Sequence, residues 1–170
     1  MGVISLDFTE HRLVLPDGTR TRIPVVRLKA RLRFLKADGS LSPAWVGTVD
    51  TGAPVSVIPR IFWQPLARCS LHETTTFGGI SKQAVCQVPA SLAEVQGAIV
   101  DSRGNASRRL SFPAYLAHTD EVPLLIGFAG LLGAFDLHVN YRKREAWVAE
   151  SCDDPAARQE AVPSPSNSVA

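Results

Sequence analysis

The sequence of 170 residues predicts an all-β domain, and three observations carry that prediction. Apolar residues come in short runs cut by Gly, Pro, Asp and Ser; residues 30–35 alternate polar and apolar side chains; and turn-forming pairs such as Asp17-Gly18 and Asp38-Gly39 fall between the runs. The length suits one domain with its own core. At 45% hydrophobic and 20% charged residues, the composition excludes the charged, apolar-poor profile of a disordered chain.

Taken in order, residues 1–19 form an N-terminal extension or first strand, in which Arg12 to Leu15 runs into the turn Pro16-Asp17-Gly18. Thr21 to Leu28 resumes as the second arm of a hairpin. Residues 30–35 continue as a strand, Asp38-Gly39 turns the chain, and Ala44 to Val49 is a short apolar strand that delivers Asp50 at its end. Val55 to Pro59 is another strand, and Ile61 to Leu66 a single helical turn broken by Pro65. Glu73 to Ala84, with Phe77-Gly78-Gly79-Ile80 at its centre, has the composition of a hairpin with a flexible tip. Strands follow at Ala84 to Val88, at Ser91 to Val100 and, beyond a polar loop at Asp101 to Ser107, at Arg109 to His118, interrupted at Pro113. Val122 to Ile126 is a fully apolar strand, Gly127 to Phe135 the one predicted helix, and Asp136 to Trp147 a closing hairpin. The folded domain is thus expected over 20–150, and the Pro- and Ser-rich segment 151–170 as a disordered tail.

Several function classes are excluded or disfavoured. Lys plus Arg number 18 against 16 Asp plus Glu, a net charge of +2, so a nucleic-acid partner is not expected. The longest apolar run, Val122 to Phe135, contains a proline and three glycines and is too short for a membrane span. The first ten residues hold two acids and no basic residue, unlike a signal peptide, which gives a cytoplasmic expectation. Cys69, Cys86 and Cys152 read as reduced structural thiols. His11, His72, His118 and His138 are scattered, with no acid or cysteine at ligand spacing, so no metal and no cofactor is assigned. Ser56, Ser81 and Ser111 lack the Gly-x-Ser-x-Gly setting of a serine hydrolase.

The informative segment is Val49-Asp50-Thr51-Gly52-Ala53, an acid after an apolar strand and before small residues that let backbones approach closely. A carboxylate there is costly to ionise unless backbone N–H groups or a partner charge accept it, and acids so placed suit general acid-base chemistry. The same triplet is also ordinary β-turn chemistry. Likewise Gly78 and Gly79 fit a plain hairpin turn, and Gly127 a helix N-cap.

Three anchors in order give the segment more meaning: Asp50-Thr51-Gly52-Ala53 after an apolar strand, Phe77-Gly78-Gly79-Ile80 in a hairpin with Gly78 lying 28 positions after Asp50, and Leu125-Ile126-Gly127 before a predicted short helix. Together they resemble the retropepsin-like aspartic proteases, single-domain relatives of pepsin, over roughly residues 20 to 149. The resemblance implies a closed acid-protease β-barrel with a flap hairpin and one short C-terminal helix. It also implies a homodimeric endopeptidase, since each subunit of that family supplies one catalytic aspartate. Asp50 would meet its symmetry mate and share a proton with it, because two close carboxylates do not both ionise readily. One member would draw a proton from the attacking water while the other donates to the scissile carbonyl oxygen. Thr51 would hydrogen-bond across the two-fold axis, Gly52 would offer backbone groups to the substrate, and Phe77, Gly78 and Gly79 would cover an extended peptide. Ile126 and Gly127 would pass close behind the aspartate turn.

Two departures accompany the match. Retroviral members carry an acid two positions after the triplet's glycine and an arginine directly after the Leu-Ile-Gly glycine; here those positions hold Pro54 and Phe128. Both charges are missing together, as expected where an apolar contact replaces an ion pair. This moves the resemblance toward cellular, bacterial-type relatives, and Ala53 favours the retropepsin side over the pepsin side. The alternatives are an inactive retropepsin-like module that binds peptides or dimerises, and an unrelated small β domain with a fortuitous triplet.

Overall fold

From Val26 onward the second strand of the chain alternates strictly, and its even-numbered residues Ala30, Leu32 and Phe34 are buried while Arg27 and Arg33 face solvent. That period-2 pattern is why one strand can run so far: each apolar step lands on the same core. In a computed structural model, which describes residues 3–78 and 87–150, the strands are β1 (Val3–Val14), β2 (Arg20–Phe34), β3 (Trp45–Val49), β4 (Ser56–Ile58), β5 (Arg68–Phe77), β6 (Val88–Val100), β7 (Leu110–Ala117), β8 (Leu125–Ile126), β9 (Phe135–Asn140) and β10 (Glu145–Glu150). A single α-helical turn, α1 (Arg60–Trp63), follows β4.

All ten strands belong to one sheet in the order β5-β6-β7-β4-β8-β3-β2-β1-β10-β9. The long β2 serves three neighbours in turn: β1 up to Lys29, β3 from Lys29 to Leu32, and β6 from Arg31 to Phe34. The last pairing makes a circuit of β2, β3, β8, β4, β7 and β6, so this part of the sheet curls around the core. Phe34 lies at its centre, tilted against Phe112 at 6.2 Å and Trp45 at 5.6 Å, and Trp45 in turn stacks on Phe62 of α1 at 4.6 Å. Full burial of Phe34 and Phe112 stabilises the fold by roughly 1.5–3 kcal/mol for each ring.

The mainly β expectation holds, including the first hairpin. At its turn Gly18 takes φ +85°, and the Thr19 N–H donates to Asp17 Oδ1 at 2.9 Å, holding that carboxyl below its ordinary value. Four expectations differ, the first being the strand over Val122 to Ile126, which forms only at Leu125–Ile126. β1 begins at Val3, earlier than Arg12, because Val3 to Leu6 pair with β10 and bury Ile4 and Leu6. Pro113 does not interrupt β7, since it lies one residue before the pairing with β4 begins at Ala114. The predicted helix over Gly127 to Phe135 is instead a series of turns ending in a 3-10 turn at Leu132–Ala134. Gly130 takes φ +66°, outside the helical region, and the N–H groups of Leu132 and Gly133 reach back five residues to Gly127 and Phe128. The predicted hairpin around Gly78 is present in its flanking strands β5 and β6; its tip, including Gly79 and Ile80, lies outside the described residues, as do Cys86 and the segment 151–170. Cys69 is exposed on β5. Among the described residues, no helix is long and apolar enough to cross a membrane.

Candidate active site

β3 and β4 are consecutive in the chain but not adjacent in the sheet, because β8 lies between them, parallel to β3 and antiparallel to β4. The connection from Asp50 to Val55 must therefore arch over the end of β8. Backbone bonds clamp it there: the Asp50 N–H donates to the Ile126 carbonyl at 3.0 Å, Phe128 N–H to Ala53 at 3.0 Å, and Ala129 N–H to Pro54 at 2.8 Å. Within the arch, the Ala53 N–H donates to the Asp50 carbonyl at 3.2 Å and the Gly52 N–H to Asp50 Oδ1 at 2.9 Å.

Gly127 is the residue that permits this approach. A Cβ at that position would stand 2.6 Å from the carbonyl carbon of Val55 and 2.8 Å from the carbonyl oxygen of Ala53, both backbone atoms that a side-chain shift cannot relieve. Its N–H donates to the buried Ser56 Oγ at 3.0 Å. Ser56 is 2% exposed, so this bond satisfies a donor that water cannot reach. The sequence sets Ser56 aside as a hydrolase nucleophile and gives no signal of this second role, because only the fold brings it beneath Gly127.

The arrangement leaves Asp50 half-buried at the arch, with Thr51 and Gly52 exposed beside it. One carboxylate oxygen accepts the Gly52 N–H, and among the described residues nothing donates to the other, Oδ2. A cavity of about 370 Å³ opens next to it, lined by Arg27, Lys29, Thr48, Val49, Asp50, Pro123 and Leu125. A second, of about 260 Å³, shares Arg27, Thr48 and Val49 and extends past Thr51 to Leu137, Val139 and Tyr141. The carboxylate can thus reach a molecule in the cleft while its own orientation is fixed from behind. Lys29 and Arg27 were not singled out in the sequence. Their signal is the odd-numbered outward face of β2, legible as alternation but not as part of a site until β3 brings Thr48 opposite Lys29.

The structure therefore assembles Asp50, Thr51, Gly52, Ala53, Ile126 and Gly127 in one place. Phe77 and Gly78 stand apart, at the end of β5. Phe77 stacks on Tyr115 of β7, with ring centroids 5.3 Å apart. One row of register partners connects the two regions: Tyr115 faces Val57, Val57 faces Leu125, Leu125 faces Thr48, and Thr48 faces Lys29. Pro54 and Phe128, which stand where the viral enzymes carry their charges, are both exposed, Phe128 at 45%, and the backbones of their two segments are joined by the bonds to Ala53 and Pro54. Of the histidines, His138 stacks on Trp147 at 5.2 Å and His118 lies 3.0 Å from Ser91 Oγ. No protein-family model matches the sequence, and no curated protein is detectably similar to it.

Proposed function

We propose that this chain is a retropepsin-like aspartic endopeptidase that acts as a homodimer on extended peptide segments. The observation that carries the reading is the Asp50 arch, locked over Gly127 by β8 inserted between β3 and β4, with one carboxylate oxygen held by Gly52 and the other open to a cleft. A plain surface turn needs neither the inserted strand nor a glycine under backbone contact. One aspartate per chain calls for a second copy, and exposed Thr51, Pro54 and Phe128 offer a partner-facing surface around it. In the dimer the two Asp50 carboxylates hold one proton between them. The ionised member takes a proton from water as the water oxygen attacks the scissile carbonyl carbon; the protonated member donates to the carbonyl oxygen. Collapse of the tetrahedral species breaks the C–N bond, and the pair returns a proton to the leaving amine. Phe77 and the β5–β6 hairpin cover the bound peptide from the neighbouring end of the sheet.

The test is digestion of an unfolded protein between roughly pH 4 and 7, where a proton-sharing carboxylate pair titrates, by wild type and Asp50→Asn, with both proteins sized in solution. Cleavage by a wild-type dimer and none by the variant is the expected result. Dimers that cleave nothing point to the peptide-binding module, and monomers that cleave nothing to an unrelated β domain.

A further inference from the structure

We infer that the cleft beside Asp50 selects substrates carrying an acidic side chain next to the scissile bond, through Arg27 and Lys29; this rests on the peptidase reading above. Both cations line the same cavity as Asp50, Pro123 and Leu125. They sit two residues apart on β2, so their side chains leave the same face of the strand. Among the described residues neither forms an ion pair. Asp7, the register partner of Lys29, gives its carboxylate to Arg31 at 2.9 Å instead. Lys29 Nζ donates to Thr48 Oγ1, a neutral acceptor that orients the ammonium without cancelling its charge. Among the described residues Asp50 is the one acid lining this cavity, and the reaction engages it.

The cleft therefore presents two cations, neither in an ion pair among the described residues, to whatever lies beside the reacting carboxylate. An extended peptide places alternate side chains about 6.4–6.8 Å apart on one face, so an acid near the scissile bond can reach the pair while its backbone crosses Asp50. A lysine or arginine at the same place meets like charge, which gives discrimination by repulsion as well as attraction.

The experiment uses a series of otherwise identical extended peptides bearing Glu, Gln or Lys at each position flanking the scissile bond, at about pH 6, where glutamate is ionised. Wild type should cleave the Glu peptide roughly tenfold faster, as kcat/KM, than the Gln peptide at one position, and the Lys peptide more slowly still. The Glu-to-Gln ratio should shrink with added salt. It should fall toward one in Arg27→Gln and Lys29→Gln, recover in Lys29→Arg, and invert in favour of Lys in Lys29→Glu. Each ratio is internal to one protein sample, so a loss of folded enzyme does not imitate it. Asp50-dependent cleavage with equal rates for Glu, Gln and Lys at every position overturns the selectivity and leaves the peptidase standing. Absence of Asp50-dependent cleavage of every peptide overturns the peptidase, and the selectivity with it.

Discussion

Asp50 and Asp101 both follow strands and open turns with the same bond: the N–H two residues on, from Gly52 in one case and Arg103 in the other, donates to Oδ1 at 2.9 Å. There the likeness ends. Asp101 also accepts the Asn105 N–H at 2.9 Å on Oδ1 and the Asn105 side-chain amide at 2.7 Å on Oδ2, and it is 7% exposed. Both of its oxygens are committed to holding the 101–107 loop. Asp50 has one oxygen committed and, among the described residues, no donor on the other, and it lines a cleft. A turn aspartate with a full set of bonds is a structural clamp; one held from a single side keeps an oxygen for a substrate.

The largest effect should appear on exchanging Asp50 for its amide. Asn at position 50 keeps an oxygen to accept the Gly52 N–H, so Asp50→Asn should fold with a melting temperature close to wild type. Its peptide cleavage should drop by about 10³-fold or more, because an amide neither takes nor gives the proton. Thermal melts beside a peptide assay check both halves; cleavage that survives the substitution removes Asp50 from the chemistry.

Next in size is Gly127→Ala, which probes how the Asp50 arch is built. The added methyl overlaps the backbone of Val55 and Ala53, so the arch must lift, at a cost of at least ~2 kcal/mol in denaturant unfolding. A neutral result would mean the arch is loosely held. Ser56→Ala acts on the same contact more gently. It leaves the Gly127 N–H buried without an acceptor, which should cost about 1–3 kcal/mol while leaving the arch in place. The two together separate space from hydrogen bonding as supports of the turn.

The two regions also differ in how much of them was legible beforehand. Asp50 to Ala53, and Gly127, stood out because small residues after an apolar run are a local signal, and Asp101 to Ser107 read as a loop from its polar composition. What could not be read were bonds that only long-range pairing creates. Ser56 meets Gly127 across 71 positions, and Lys29 enters the Asp50 cleft only because β2 pairs with β3. The same limit explains the misplaced helix: residues 127–135 have the apolar density of a helix, but their first N–H groups are drawn to Ala53 and Pro54, and Gly130 turns to positive φ. Likewise Val3 to Leu6 carry no turn signal, and their strand exists because β10 returns to pair with them.

The smallest effect is a pH dependence, and it sharpens the distinction between the two acids. Asp101 is held below the ordinary 3.8 first by the Asn105 side-chain amide and then by the backbone N–H groups of Asn105 and Arg103, all of which favour the carboxylate. Its folded pKa being depressed, the stability it contributes is fully present above 3.8 and is lost as pH falls from 3.8 through the lower folded value. Asp38, lowered to about 2 chiefly by the Ser40 hydroxyl, and Asp17 lose stability in the same direction, so acid titration of wild type alone does not isolate the loop. Asp101→Asn does. At neutral pH the variant should melt a few degrees below wild type, since its amide oxygen can still accept the Arg103 and Asn105 backbone N–H groups, more weakly than a carboxylate does, but its NH2 replaces the oxygen that accepts the Asn105 side-chain amide. As pH drops below 3.8 wild type should lose that advantage and the two melting curves should converge, Asp38 and Asp17 being common to both. A gap that stays constant down to about pH 2 would mean that the loop is held by shape, and that Asp101 differs from Asp50 in burial rather than in the use of its charge.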